Sequence, residues 1–285
     1  MSVPAPSAQP HRMRRLAVEA LPVFLVVGAF LAVWELYVRL ADVRPFVLPA
    51  PSQVGRTMWE DRSLVLAGSA NTAAEFLLGF LLAASAGIAL SILIVSLPRL
   101  GRGVYPLLVA SQTVPVIAVA PLLIIWLGFG LWTKVAVSAL ISFFPVVVTS
   151  VAGFRSVSQS SIDLMRSIPA SRWATFRMLM IPSALPSIFA GLKTASVLAV
   201  IGAVVGEFVA GGRGLASGIV LARATLRTDR IMALIVALSI LGLVFYGAVA
   251  LCARWAMPWT VSRVGGRRLS WRRAAGTTGS DPRVR

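Results

Sequence analysis

Reactive side chains are scarce in this sequence, and their positions exclude more chemistry than they permit. The one histidine, His11, sits in the basic stretch at the start, so the apolar body has no imidazole to act as a general base or to bind zinc. Metalloprotease and catalytic-triad chemistry have no candidate. The single cysteine, Cys252, can form neither an internal disulfide nor a paired metal site. The two lysines, Lys134 and Lys193, follow no G-x-x-x-x-G-K-[ST] pattern, so the chain carries no phosphate-binding loop with which to hydrolyse ATP alone. No catalytic, metal-ligating or cofactor-binding residue is therefore expected.

What remains is a handful of polar groups and prolines inside or beside apolar runs. An unpaired carboxylate at the centre of a membrane helix costs about 2.5 to 3.5 kcal/mol on insertion scales, so Glu75 and Glu207 should mark either a pathway or a pair. Glu207 falls near an outer helix end, where snorkelling is the alternative. Asn71 lies one helical turn before Glu75, and the two either line a pore or bond a neighbouring helix. Pro106, Pro115 and Pro121 share one run, in which freed carbonyls bend the helix or line a cavity. Asn71, Glu75, Pro115 and Glu207 are the pathway candidates. Lys193, about three turns past Pro182, is expected to snorkel to the inner interface.

The elements that position these groups must be membrane helices. The chain is 58% hydrophobic and 13% charged, with a mean hydropathy of +0.85; soluble chains are about half apolar and a quarter charged. Apolar stretches fall at about 20–40, 70–97, 104–127, 131–152, 183–207 and 231–257, most of them long enough to cross ~30 Å of hydrocarbon. An all-α membrane protein of six transmembrane helices is expected, with its membrane domain over 20–260. The basic segment 1–19 precedes a run without a small-residue cleavage site, so it leads into a retained first helix. Residues 261–285, rich in arginine and glycine, cannot bury a core and are expected to be disordered.

Six crossings place both termini on one side, and that side receives 17 of the 27 lysines and arginines, so the positive-inside rule makes it cytoplasmic. Arg213, Arg223, Arg227 and Arg230 then lie outside, against the rule. The net charge of +17 is spread between the runs instead of forming a stripe, which excludes nucleic acid as the partner. Leu48-Pro49-Ala50-Pro51-Ser52 is a turn expected to lay a short helix on the outer surface.

One connection is an outlier. The inner segment 153–182 is about 30 residues, far longer than a turn between adjacent spans needs. Ile162, Met165 and Ile168 recur every three residues, and Trp173, Phe176 and Met180 follow at three and four, which predicts two short amphipathic helices flanking Pro169. Such a helix suits insertion into a partner's groove.

The same segment resembles the signature loop of binding-protein-dependent ABC importer permeases, whose pattern is E-A-A, three residues, G, nine residues, I-x-L-P. Asp163 stands at the glutamate, Leu164 and Met165 at the alanines, Pro169 at the glycine, and Leu179, Ile181 and Pro182 at the final I, L and P. Asp keeps the charge, while Pro169 fixes φ and still breaks the helix. The resemblance runs from roughly Leu48 to Trp259 and includes Thr113-Val114-Pro115, Trp126-Leu127-Gly128-Phe129-Gly130, Phe143-Phe144-Pro145, Gly153-Phe154-Arg155-Ser156-Val157, Gly206-Glu207-Phe208 and Leu226-Arg227-Thr228-Asp229-Arg230.

It implies a type I ABC importer permease fold with a cytoplasmic coupling helix, in which Asp163, Leu164, Met165, Arg166, Ile168, Pro169, Ala170, Arg172 and Trp173 couple to an ATPase. It further implies a cytoplasmic ABC ATPase dimer that binds the ATP, an extracytoplasmic solute-binding protein, a second permease subunit in a homodimer, and the inner membrane as location. Within the family the sequence is similar to the nitrate, sulfonate, taurine and pyrimidine-precursor branch. Gly206-Glu207-Phe208 and Leu226 to Arg230 lean toward thiamine pyrimidine precursors or riboflavin as solute. The alternatives are a membrane scaffold or sensor docking a cytoplasmic protein, and an ion-driven carrier, which should show inverted repeats and several buried ionisable residues.

Overall fold

In the computed structural model, residues 10–168 and 171–259 are described, and among them every regular element is a helix. The tail 261–285 and two coupling candidates, Pro169 and Ala170, lie outside the described residues. The helices are α1 (Pro10–Leu40), α2 (Pro51–Glu60), α3 (Arg62–Ser96), α4 (Pro98–Ser111), α5 (Val116–Leu127), α6 (Leu131–Arg155), α7 (Gln159–Ser167), α8 (Arg172–Thr175), α9 (Ile181–Ala210), α10 (Leu215–Ala224) and α11 (Thr228–Ala256). A π-helical turn, Phe176–Met180, joins α8 to α9.

Four helices are long and apolar enough to cross a bilayer: Arg62–Ser96, Leu131–Arg155, Trp173–Ala210 and Thr228–Ala256. A bent pair, Gly101–Ser111 with Val116–Leu127, makes five if it is one broken span. The expected count of six also includes the first apolar run, carried on the 31-residue α1. That helix starts at Pro10, so part of the expected N-terminal extension is already helical.

In the run at 104–127 the prolines accompany a bend, one of the two outcomes expected of them. Its halves meet at 98° across Gln112 to Pro115. Pro115 has no N–H to donate and holds Val114 out of the helical region. Ser111 and Thr113 hydroxyls donate to the carbonyls of Leu108 and Ala110 (2.7 and 2.8 Å), satisfying backbone that the break exposes.

The anticipated short helix after Leu48 is α2. The Glu35 carboxylate of α1 accepts hydrogen bonds from the Ser52 N–H and hydroxyl (3.0 and 2.8 Å), placing negative charge at the α2 N-terminus, where the helix dipole favours it. At the C-terminal end of α2 Arg230 grips Asp61 through two bonds of 2.7 and 2.8 Å, Arg227 pairs with Asp229 at 2.6 Å, and Thr57 donates to Asp229 at 3.0 Å. Two of the arginines that oppose the expected orientation are therefore ion-paired, and Asp229 holds the Arg227 guanidinium even more firmly protonated than usual.

The core is the bundle of α3, α6 and α9. A Cβ added at Gly202 of α9 would lie 2.5 Å from Ser138 Cα of α6, so only glycine permits this approach. The closeness lets Ser138 Oγ donate to the Ala199 carbonyl at 2.9 Å. Phe76 and Phe80 of α3 meet Phe245 of α11 at 4.7 and 5.1 Å between ring centroids, tying the outer helix to the core.

Candidate functional site

The two ends of the α6 and α9 pair hold the candidate residues. At the Arg155 end, Ser158 caps α7, its hydroxyl accepting from the Ser161 N–H at 3.3 Å. α7 buries no residue. Asp163 takes a bond from Gln159 (3.2 Å) and pairs with Arg166 (3.3 Å), so both charges stay on the exposed face. Ile162 and Met165 are partly exposed. Leu164 is 63% and Ile168 52% exposed, four residues apart, and Trp173 is exposed beyond them.

The expected second amphipathic helix is not a separate element. Trp173 begins a continuous 38-residue helix that runs into α9 through the π turn. Trp173 stacks on Phe176 (5.8 Å), which stacks on Phe154 of α6 (5.9 Å), so the segment is fastened at the α6 and α9 roots while α7 projects. The Arg172 side chain lies outside the described residues.

At the opposite end is a buried ionic cluster. Lys134, in the first turn of α6, donates to Glu75 Oε1 of α3 at 2.7 Å, with the two residues 5% and 3% exposed. Glu207, in the last turn of α9, is fully buried and accepts from the Thr72 hydroxyl (2.6 Å) and the Ser217 N–H (2.8 Å). Thr72 in turn accepts from the Leu215 N–H at 2.9 Å. Four helices, α3, α6, α9 and α10, thus converge on one polar knot.

The loop between α9 and α10 closes over this knot on glycine. Gly211 and Gly212 adopt positive φ, and a side chain on Gly212 or Gly214 would collide with the Lys134 ammonium or the Glu207 carboxylate. Asn71 donates to the Ala67 and Arg213 carbonyls (2.9 and 3.3 Å) and so ties α3 to the loop. Beside it lies a cavity of about 450 Å³ lined by Asn71, Glu75, Phe129, Gly130, Lys134 and Arg213, among others.

Residues 75–265 match the family of binding-protein-dependent transport system inner membrane components. The chain belongs to this family. It is 38% identical over 232 residues to the formylaminopyrimidine transport permease protein of Halalkalibacterium halodurans, covering 80% of this chain and 92% of that one. It is 37% identical over 244 residues to the riboflavin transport system permease protein of Chloroflexus aurantiacus, covering 85% and 90%. With the taurine transport system permease protein of Escherichia coli it shares 28% identity over 246 residues, covering 81% and 87%. These relatives are transport permeases, and with the apolar spans they make this chain a multi-pass inner-membrane transport protein.

In this permease the sequence-derived pathway candidates divide. Asn71, Glu75 and Glu207 come together at one end of the core. Pro115 does not join them; it opens α5 at the break, beside an apolar cavity of about 540 Å³ lined by Gln112, Val116, Phe143, Phe144 and Leu198 among others. Glu207 is locked by Thr72 and Ser217 and does not snorkel. Lys193 lies mid-helix, half-buried, lining a cavity of about 570 Å³ with Phe189 and Tyr246. Lys134, at the edge of the apolar run 131–152, is the partner of Glu75. Its place just inside an apolar run was the available signal.

Proposed function

We propose that this chain is the membrane-spanning permease subunit of an ATP-driven importer, one half of a dimeric translocation pore formed with a second copy. α7 docks on a cytoplasmic ATPase dimer, and an extracytoplasmic binding protein delivers solute at the end holding the ionic cluster. The observation that carries this reading is the α6 and α9 pair. Its helices rise about 37 and 45 Å, and they join the projecting α7 at one end to Lys134 and Glu207 at the other. Glycine contacts at Gly202 and Gly206 keep the pair from sliding, so movement of α7 is passed along it as a rigid unit.

With α1 and the broken α4–α5 each counted as one span, six crossings place both termini in the cytoplasm. Single cysteines in a Cys252→Ala background test this. Thr225→Cys is expected to react with an impermeant maleimide in intact cells, and Ser160→Cys only after permeabilisation; the reverse pattern would invert the orientation.

The solute is proposed to be a small nitrogen heterocycle, on the similarity to the formylaminopyrimidine and riboflavin permeases. The function itself is tested by purification with and without the partners. The isolated chain is expected to show no ATP hydrolysis and the complex with an ATPase to show hydrolysis stimulated by loaded binding protein; hydrolysis by the pure chain would overturn the reading.

The buried cluster gives one specific reason to keep the ion-driven carrier in view, since such carriers place ionisable groups in their cores. Sensitivity of uptake to ATP depletion or to a protonophore separates the two.

A further inference from the structure

We infer that solute crosses the membrane along the face shared by the α4–α5 break and α9, a water-filled path whose polar lining is Gln112, Lys193 and Thr194. This deepens the importer reading and rests on it.

Two cavities on that face form one surface. The cavity of about 540 Å³ at the break is walled by Phe143, the middle residue of α6, and by Leu198 of α9. The cavity of about 570 Å³ between α9 and α11 is walled by the same Leu198, by Lys193 and Thr194, and by Met257 just beyond α11. Together they run from mid-height of the bundle toward its α7 end.

The polar groups on this surface are ill suited to hydrocarbon. Lys193 stands about 18 Å along α9 from Ile181 and about 26 Å from Ala210, inside the apolar run, and its ammonium bonds nothing among the described residues. Lys134 has its carboxylate; Lys193 has none. Gln112 is exposed at the break, and its amide is equally unbonded among the described residues. α5 starts at that break without a side-chain cap, so its first N–H groups are open as well. Irregular backbone at membrane depth is tolerated only inside protein or against a water-filled cavity, and a charge within a span marks a solute or ion pathway.

The lining also selects. The ammonium and the open N–H groups are donors, and Lys193 is the one charged residue that lines either cavity. A neutral or anionic solute that carries acceptor atoms, such as carbonyl oxygens or ring nitrogens, is favoured on this path; a cation is repelled.

Single cysteines in a Cys252→Ala background test the path in the complete complex with its ATPase in proteoliposomes. The probe is anionic sulfonatoethyl methanethiosulfonate, which needs water and a thiolate to react. Gln112→Cys and Thr194→Cys are expected to react, and Leu81→Cys, 60% exposed in the middle of α3 and lining neither cavity, is not. Silence at both Gln112→Cys and Thr194→Cys, or equal reaction at all three positions, would overturn the path. In parallel, Lys193→Met is expected to assemble normally and to lower uptake of labelled formylaminopyrimidine roughly tenfold, the size of losing one charged hydrogen bond, with Lys193→Arg retaining most of it. Wild-type uptake by Lys193→Met would show that the ammonium lies off the path. Labelling at Gln112 and Thr194 without ATP-dependent uptake would refute the importer reading and leave the path standing, whereas ATP-driven uptake with both cysteines silent would refute the path alone.

Discussion

Replacing Leu164 and Ile168 together by glutamate is expected to leave the chain inserted in the membrane, to strip the ATPase from it during purification, and to abolish uptake. The two side chains are exposed apolar groups of α7 and its C-cap, 63% and 52% open among the described residues. Burial of each in a partner's groove is worth about 1.5 to 3 kcal/mol, so losing both removes about 3 to 6 kcal/mol, or roughly two to four powers of ten in affinity. Two carboxylates driven into an apolar groove add a desolvation penalty. Because α7 buries nothing in its own bundle, the fold should not suffer. Asp163→Glu, which lengthens an exposed side chain and keeps its charge, is expected to retain both docking and uptake. Co-purification at the wild-type level by the double variant would show that α7 is only a connector.

The second large effect concerns stability. Lys134→Met removes the only ammonium bonded to the cluster and leaves the Glu75 and Glu207 carboxylates facing each other without it. Breaking one side of a buried pair typically costs about 3 to 5 kcal/mol, a large share of a domain's total stability. Thermal unfolding in detergent should therefore show a strong loss for Lys134→Met. The double variant Lys134→Met with Glu75→Gln buries no charge at that pair and is expected to recover most of the loss, giving a coupling energy of several kcal/mol in the cycle. Additive losses would mean that the two side chains do not interact.

How far sequence led depended on the physical signal each residue carries. Runs of apolar residues about 20 long mark α3, α6 and α11 well, because length and hydropathy are local properties. The break at Gln112 to Pro115 was visible as a proline but not as a 98° bend, since the angle is set by which carbonyls find new donors after the break. The spacing at Trp173, Phe176 and Met180 predicts a second short helix, yet the chain runs on from Trp173 into α9, with a π turn at Phe176–Met180 just ahead of Pro182. The role of Lys134 was not legible, because a hydropathy boundary cannot say whether a cation at the edge of a run turns to water or to a carboxylate 59 positions away. Glu75 and Glu207 were legible as costly groups needing partners; Thr72 and Ser217, which supply bonds to Glu207, carry no such mark. Arg227 and Arg230 misled in the opposite direction, because the charge tally ignores their pairing with Asp229 and Asp61.

ATP-dependent uptake by the reconstituted complex tests the central claim most directly. Proteoliposomes containing this chain and its cognate ATPase, with ATP enclosed on the α7 side and loaded binding protein on the other, should accumulate labelled formylaminopyrimidine. Accumulation should stop without ATP and continue in the presence of a protonophore. Uptake that ignores ATP and collapses with the proton gradient would contradict the account and make the buried cluster the seat of an ion-driven carrier.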